Sequence, residues 1–356
     1  MLFRNTYLEI NLKSIEKNVR NLMAEYYEYR HHIGVVKADC YGQSGIRTVK
    51  AIIKGGCDYL AVATLDEALD IRKKINEIPI LCLGVVPSVY IEACMQNNIT
   101  ITINSLDYLE EVLQQEPEGL KVHLKIDTGM HRLGIEKNEE VVEAITKIKK
   151  SKMILEGIYT HIYQAKDEEK YLKQIEKFEE ALTGIDLKQI PIVHIAASEA
   201  LTLYEKPKFV NGCRLGLIMY GLTKVEGLKL DTTARLISEV LQIHRLQPGE
   251  TVGYGGAFKA EEEETKIAVI GIGYADGIIR KNTGRDVYIN GNRYPIVGNI
   301  CMDMLFVKVD DEVAVHDTVY VLKDNAHIEE VAKYLDTIPY EVLCMIGKRV
   351  PRVCKD

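Results

Sequence analysis

The sequence predicts an α/β protein in which a TIM-type (β/α)8 barrel is followed by a C-terminal antiparallel β domain. Over roughly the first 220 residues, about eight short β-branched segments alternate with stretches of helical spacing. Those segments are apolar on both faces, as strands of a parallel sheet covered by helices must be. Past about residue 225 the helical spacing nearly disappears, and short strands broken by PGE, NG and DD take over.

The predicted barrel strands are, in order, HHIGVVKAD (31–39), YLAVAT (59–64), IPILCLG (78–84), ITITIN (99–104), KVHLKIDTG (121–129), LEGIYTH (155–161) and PIVHIAAS (191–198), with a less regular eighth at NGCRLGLIMYG (211–221). Between them SGIRTVKAIIKGG, LDEALDIRKKI and EEKYLKQIEKFEEALTG have helical periodicity. Lys37, Thr64, Asn104, Asp127, His161, Ser198 and Arg214 all fall at or just past a strand's C-terminal end. A closed barrel gathers such ends at one mouth, whereas an open sheet would spread them along an edge. The later strands are ARLISEVLQIHRL, TKIAVIGIGY, DVYING, NRYPIVG, DMLFVKVD and DTVYVL, with one late helix near HIEEVAKYL.

The 356 residues carry 45 basic and 52 acidic side chains, a net charge of -7, and 47% are hydrophobic. That composition excludes overall disorder and supports a large core. No basic stripe with interleaved aromatics favours a nucleic-acid partner. No apolar run approaches the roughly 18 residues of a spanning helix, so the chain reads as cytoplasmic, without membrane contact. The eight cysteines form no CxxC pair and no zinc-like spacing, so they read as reduced thiols, with no metal site expected.

Lys37 ends an apolar strand beside a loop bearing glycine and hydroxyl groups. In low dielectric such a lysine has a depressed pKa and offers the free amine that a Schiff base needs. A lysine snorkelling to solvent is the plainer reading.

The run VVKADCYGQSG (35–45) resembles the pyridoxal-phosphate lysine segment of alanine racemases. The likeness continues through KIDTGMHRLG (125–134), THIYQA (160–165), HIAAS (194–198), CRLGLIMYG (213–221), GYGGAF (253–258), IGYADG (272–277), GNICMDM (298–304) and IPYEVL (338–343). These segments span nearly the whole chain in the family's order. The resemblance implies a pyridoxal 5'-phosphate (PLP) barrel over residues 9–225, and a mainly β domain made of residues 1–8 plus 226–356.

The resemblance further implies that Lys37 holds PLP and serves as one of two catalytic bases, with Tyr274 of the other subunit of a homodimer as the second. Two bases are needed because inversion removes a proton from one face of the α-carbon and returns one to the other. His161, Arg214 and His194 match a hydrogen-bonded chain that reaches the cofactor ring, with Arg214 facing the pyridine nitrogen. Arginine keeps its proton there, which leaves the ring a weaker electron sink and disfavours transamination. Arg132 matches the contact to the cofactor's phenolic oxygen and to the substrate carboxylate. Lys125 matches a lysine that several members carry as a carbamate, an unmodified structural lysine being the alternative. The Met302 N–H matches a carboxylate donor from the partner subunit. Tyr41, Ser198, the backbone of Gly216 and Leu217, and Tyr340 match the phosphate site.

The sequence departs from the family at Ala197, where asparagine is usual, and at Lys166, where an acidic residue is common. Asn299 and Met304 stand where arginine and glutamine are frequent. Tyr340 tends to be smaller and polar in serine-preferring relatives of the vancomycin-resistance type, so its bulk favours alanine. The implied activity is racemisation of alanine, supplying D-alanine for peptidoglycan, with serine racemisation as the alternative. A PLP-dependent decarboxylase, a non-catalytic PLP carrier and a Schiff-base aldolase are the competing classes, and none of them needs Tyr274 and Met302.

Overall fold

The computed structural model describes residues 3–356, so Met1 and Leu2, the start of the expected N-terminal segment, lie outside the described residues. A strand β1 (Tyr7–Asn11) precedes the barrel, whose staves are β2 (His31–Val35), β3 (Tyr59–Val62), β4 (Ile80–Cys82), β5 (Ile99–Ile103), β6 (Lys121–Lys125), β7 (Ile154–Tyr159), β8 (Ile192–Ala197) and β9 (Gly212–Leu215). They pair in parallel in sequence order, and β9 closes on β2, so the ring has no edge. Each stave lies where the β-branched runs predict it. Every residue of β3 and of β5 is buried, which is why these segments do not alternate.

The second unit contains β10 (Ala234–Leu246), a small hairpin of β11 (Thr251–Val252) and β12 (Phe258–Lys259), then β13 (Thr265–Ile270), β14 (Asp286–Ile289), β15 (Asn292–Val297), β16 (Leu305–Val309), β17 (Thr318–Leu322) and β18 (Arg352–Lys355). The sheet order is β13-β16-β15-β14-β17-β10-β1-β18, and β13 also pairs with β10. The 13-residue β10 can serve three neighbours because its register shifts along its length. The pairings are antiparallel except for β1 with β18, which are parallel. β1 thus ties the entry to the barrel into the distal sheet.

The single late helix expected near residue 327 is joined by a second. Asn325–Leu335 is capped by Asp324, and Pro339–Cys344 follows with proline at its first turn. Six residues are too few to register as a periodicity, yet this short helix carries Tyr340. Among the described residues, no helix is long and apolar enough to cross a membrane.

Candidate active site

At the barrel mouth a cavity of about 500 Å³ is lined by, among others, Lys37, Tyr41, Lys125, Arg132, His161, Ser198, Arg214, Gly216, Leu217 and Tyr340. The residues that the sequence assigns to the cofactor therefore converge on one space. Thr64 and Asp127, also picked out at strand ends, do local work instead. Thr64 caps the helix Leu65–Arg72, and Asp127 accepts from the amides of Gly129, Met130 and His131 at 2.8, 2.9 and 3.1 Å.

Lys37 stands just past β2, with Val36 between, and the chain then makes a left-handed turn. Ala38, Asp39, Cys40 and Tyr41 have φ of 51, 54, 57 and 56°, and Gly42 has 78°. Left-handed backbone costs roughly 1–2 kcal/mol per residue with a side chain, so the turn needs outside support. Glu67 supplies it: one carboxylate oxygen accepts from Ala38 N at 2.6 Å, the other from Ala63 N at 2.8 Å. At Gly42 a Cβ would stand 2.7 Å from the Leu343 carbonyl, so this position needs glycine for space as well as for φ. The Tyr41 ring packs edge-on to Tyr220 with centroids 5.3 Å apart. Sequence reasoning missed Glu67; its available signal was the T-x-x-E capping box, which it also completes with Thr64. Burial, with the Arg132 charge adding to it, lowers the Lys37 pKa.

At one end of the cavity, Ser198 Oγ accepts from the amides of Gly216 and Ile218, both at 3.3 Å. A Cβ on Gly216 would lie 3.3 Å from the Tyr41 hydroxyl and 3.4 Å from Ser198 Oγ. Hydroxyls and backbone amides thus meet at the start of a single 3-10 turn, a donor set that suits a phosphate. Ile218 is an addition to the expected Gly216 and Leu217.

Across the cavity sits Arg214, 3% exposed. Its Nη1 donates to His194 Nδ1 at 2.8 Å, and its Nη2 donates to the carbonyls of Thr160 at 2.9 Å and Ile195 at 2.8 Å and to His161 Nδ1 at 3.1 Å. Arginine has five N–H groups, and among the described residues Nε–H finds no acceptor. Burial, then the Arg214 charge, pushes the His161 pKa down to about 3, and the same causes hold His194 well below the ordinary histidine range. Both imidazoles are neutral. A ring nitrogen with a free lone pair is the partner that an unspent Nε–H fits, so these donors suit the pyridine of PLP.

Lys125 is 7% exposed, its ammonium donating to the Ile126 carbonyl at 2.9 Å. Burial and the Arg214 charge push its pKa down to about 7, so an appreciable fraction is free amine near neutrality. Arg132 is exposed at the rim, on the loop that Asp127 holds. Lys166, where an acidic residue is common in the family, stands 3.2 Å from Glu199, a carboxylate of the lining, and pairs with it.

Tyr274 and Met302 do not line this cavity. They stand together in the β domain, where Tyr274 N donates to the Cys301 carbonyl at 3.0 Å and Ala275 N to that of Met302 at 3.0 Å. Gly273 permits this approach, since a Cβ there would be 2.4 Å from the Cys301 oxygen. The turn is anchored by Asp276, wholly buried, which takes Arg4 at 2.7 Å and Arg349 at 3.0 Å. The side chains themselves are exposed, Tyr274 by 42% and Met302 by 52%. The turn thus holds two exposed side chains away from the chain's own cavity.

Residues 10–224 match the family described as alanine racemase, N-terminal domain, and residues 233–354 match alanine racemase, C-terminal domain. The chain belongs to the alanine racemase family. It is 37% identical to alanine racemase 1 of Bacillus subtilis, over 99% of this chain and 93% of that one. It is 36% identical to an alanine racemase of Staphylococcus epidermidis, over 99% and 95%. Among solved structures, the alanine racemase of E. faecalis superposes with a TM-score of 0.93 at 34% identity, covering 99% of this chain and 98% of that one. That of Bacillus anthracis, solved with bound L-Ala-P, superposes at 0.91 with 30% identity, covering 100% and 96%. The family's barrel and β domain are the two units described above.

Proposed function

We propose that the chain is a PLP-dependent alanine racemase that interconverts L- and D-alanine as a cytoplasmic homodimer and supplies D-alanine for cell-wall peptidoglycan. The observation that carries this reading is one cavity holding a lysine of lowered pKa, an arginine with a single unspent donor, and a cluster of hydroxyl and amide donors. When bound, PLP supplies a carbonyl carbon that an amine can attack and a conjugated ring that spreads the negative charge developing at the substrate α-carbon.

Lys37 Nζ would hold the cofactor covalently and would hold or remove a proton at one face of the substrate α-carbon. Ser198, Tyr41, Tyr340 and the amides about Gly216 and Leu217 hold the phosphate. Arg214, whose Nε–H is unspent, would donate to the ring nitrogen while keeping its own proton, as guanidinium does in proteins. His161 and His194 accept from it and stay neutral, so neither competes for that proton. Arg132 pairs with the substrate carboxylate, for which a forked cation is well shaped. Lys125, if converted to a carbamate, would give Arg132 a negative neighbour. Tyr274 of the partner subunit supplies the base at the opposite face, and Met302 of the partner subunit gives a backbone N–H to the carboxylate.

Tyr340 narrows the space for the substrate side chain and favours methyl over hydroxymethyl. The PLP-loaded protein is therefore expected to racemise L-alanine faster than L-serine, when the two are followed separately by chiral separation. A serine rate equal to or above the alanine rate would refute the preference. Release of carbon dioxide from a diamino acid, with no racemic product from alanine, would point to a decarboxylase instead.

A further inference from the structure

Beneath Arg214 a line of buried polar side chains runs through the barrel interior. His194 Nε2 lies 2.9 Å from His123 Nδ1, and His123 Nε2 lies 3.4 Å from Glu156 Oε2. Both histidines are 0% exposed, and the Glu156 side chain 13%. The line ends on a well-satisfied carboxylate: Glu156 accepts from the Tyr59 hydroxyl at 2.6 Å and the Thr100 hydroxyl at 3.1 Å, and Lys121 stands at 3.3 Å. Burial works to raise the Glu156 pKa, but His123, Tyr59 and Lys121 outweigh it and hold the group at about 2. At 3.4 Å the last step is an ion-pair distance and not a hydrogen bond: His123 Nε2 has no hydrogen-bond partner among the described residues, and Glu156 is the anion beside it.

The order of donors follows from one fixed end. Arg214 can only donate, so His194 Nδ1 accepts and its proton sits on Nε2. That proton goes to His123 Nδ1, so the proton of His123 sits on Nε2, the ring atom 3.4 Å from Glu156 Oε2. Every donor then runs from the mouth toward the one anion of the line. In a low-dielectric interior such a chain polarises link by link, which favours positive charge at its head. Burial, with the Arg132 charge adding to it, lowers the Arg214 pKa to about 10, so the guanidinium keeps its charge near neutrality and can only donate.

Local sequence builds the line. The β6–β7 register runs Val122↔Leu155 and then His123↔Gly157, leaving Glu156 as an extra, bulged residue. Gly157 gives room for the imidazole, because a Cβ there would lie 2.5–2.8 Å from three His123 ring atoms. Tyr159, next on that face, stacks on His194 with ring centroids 4.6 Å apart and planes 9° from parallel. One segment, Glu-Gly-Ile-Tyr, thus places the anion, the gap and the stacking ring.

We propose that Glu156 and His123 are positioning residues which, through His194, fix the orientation of Arg214 and hold its proton against the cofactor ring nitrogen. This role rests on the reading of the cavity as a PLP site. The test uses the wild-type protein and Glu156→Gln, each loaded with PLP, in two measurements. Nitrogen-15 spectra of labelled histidine should give the Nε2–H tautomer for both His123 and His194 in the wild type, and a lost or mixed assignment for His123 in the variant. Racemisation by the variant should show kcat lower by about tenfold, with KM within about twofold, since Glu156 touches neither substrate nor cofactor.

An Nδ1–H tautomer at His123 in the wild type overturns the proposal whether or not the variant folds. So does a variant with wild-type kcat and unchanged tautomers. If the wild type takes up no PLP, the functional reading fails, while the tautomers in the same protein still decide whether the line runs as described.

Discussion

Lys37→Ala is expected to lower kcat/KM for alanine by more than ~10⁴-fold, because it removes both the covalent hold on the cofactor and a base at the α-carbon. Lys125 is the other lysine of the cavity and the obvious substitute. Burial and the Arg214 charge push its pKa down to about 7, which leaves free amine to compete, but its Nζ is engaged with the Ile126 carbonyl at 2.9 Å. Borohydride reduction of the PLP-loaded wild type, followed by peptide mass analysis, should place the cofactor mass on the peptide containing residue 37. The Lys37→Ala protein should carry no such mass. Cofactor trapped on Lys125 in the wild type would overturn the assignment.

Tyr274→Phe should reduce kcat/KM by about 10²–10⁴-fold, the ordinary worth of a positioned general base. The loss must be equal in both directions, since two enantiomers have equal free energy. Exchange of the α-proton with solvent should behave differently. With Lys37 intact, one enantiomer still loses and regains its proton on the same face, so its exchange survives while inversion is lost. The other enantiomer should lose exchange as well. Retention of wild-type inversion, or equal loss of exchange from both enantiomers, contradicts a two-base site. The phenyl ring keeps the packing, and the turn beneath remains anchored by Asp276 with Arg4 and Arg349.

Much of this was legible in the sequence. The eight staves could be placed because apolar residues on both strand faces leave little alternative to a covered parallel sheet, and their C-terminal ends brought Lys37, His161, Ser198 and Arg214 to one cavity. Their roles came from resemblance, since a lysine or histidine at a strand end is chemically ambiguous. Other features left no pattern to read. The left-handed turn after Lys37 is built from Ala, Asp, Cys and Tyr, none of which announces positive φ as glycine would, and its clamp Glu67 lies 29 positions from Ala38. Glu156 is a lone charge in an otherwise apolar run, and nothing in that run shows the bulge that turns it inward. The helix carrying Tyr340 is too short for a period to show, and Asp276 looks like an ordinary turn aspartate until two arginines are folded onto it.

The most direct test of a site completed by two chains is to mix them. Lys37→Ala and Tyr274→Phe subunits, each inactive alone, are unfolded together in equal amounts, refolded with PLP, and assayed with L-alanine. Random pairing makes about half of the dimers hybrid, and each hybrid has one site with both bases intact, so about a quarter of wild-type activity should return. Recovery no greater than the sum of the two parent proteins, with hybrid dimers demonstrably present, would contradict the placement of Lys37 and Tyr274 on opposite subunits of one active site.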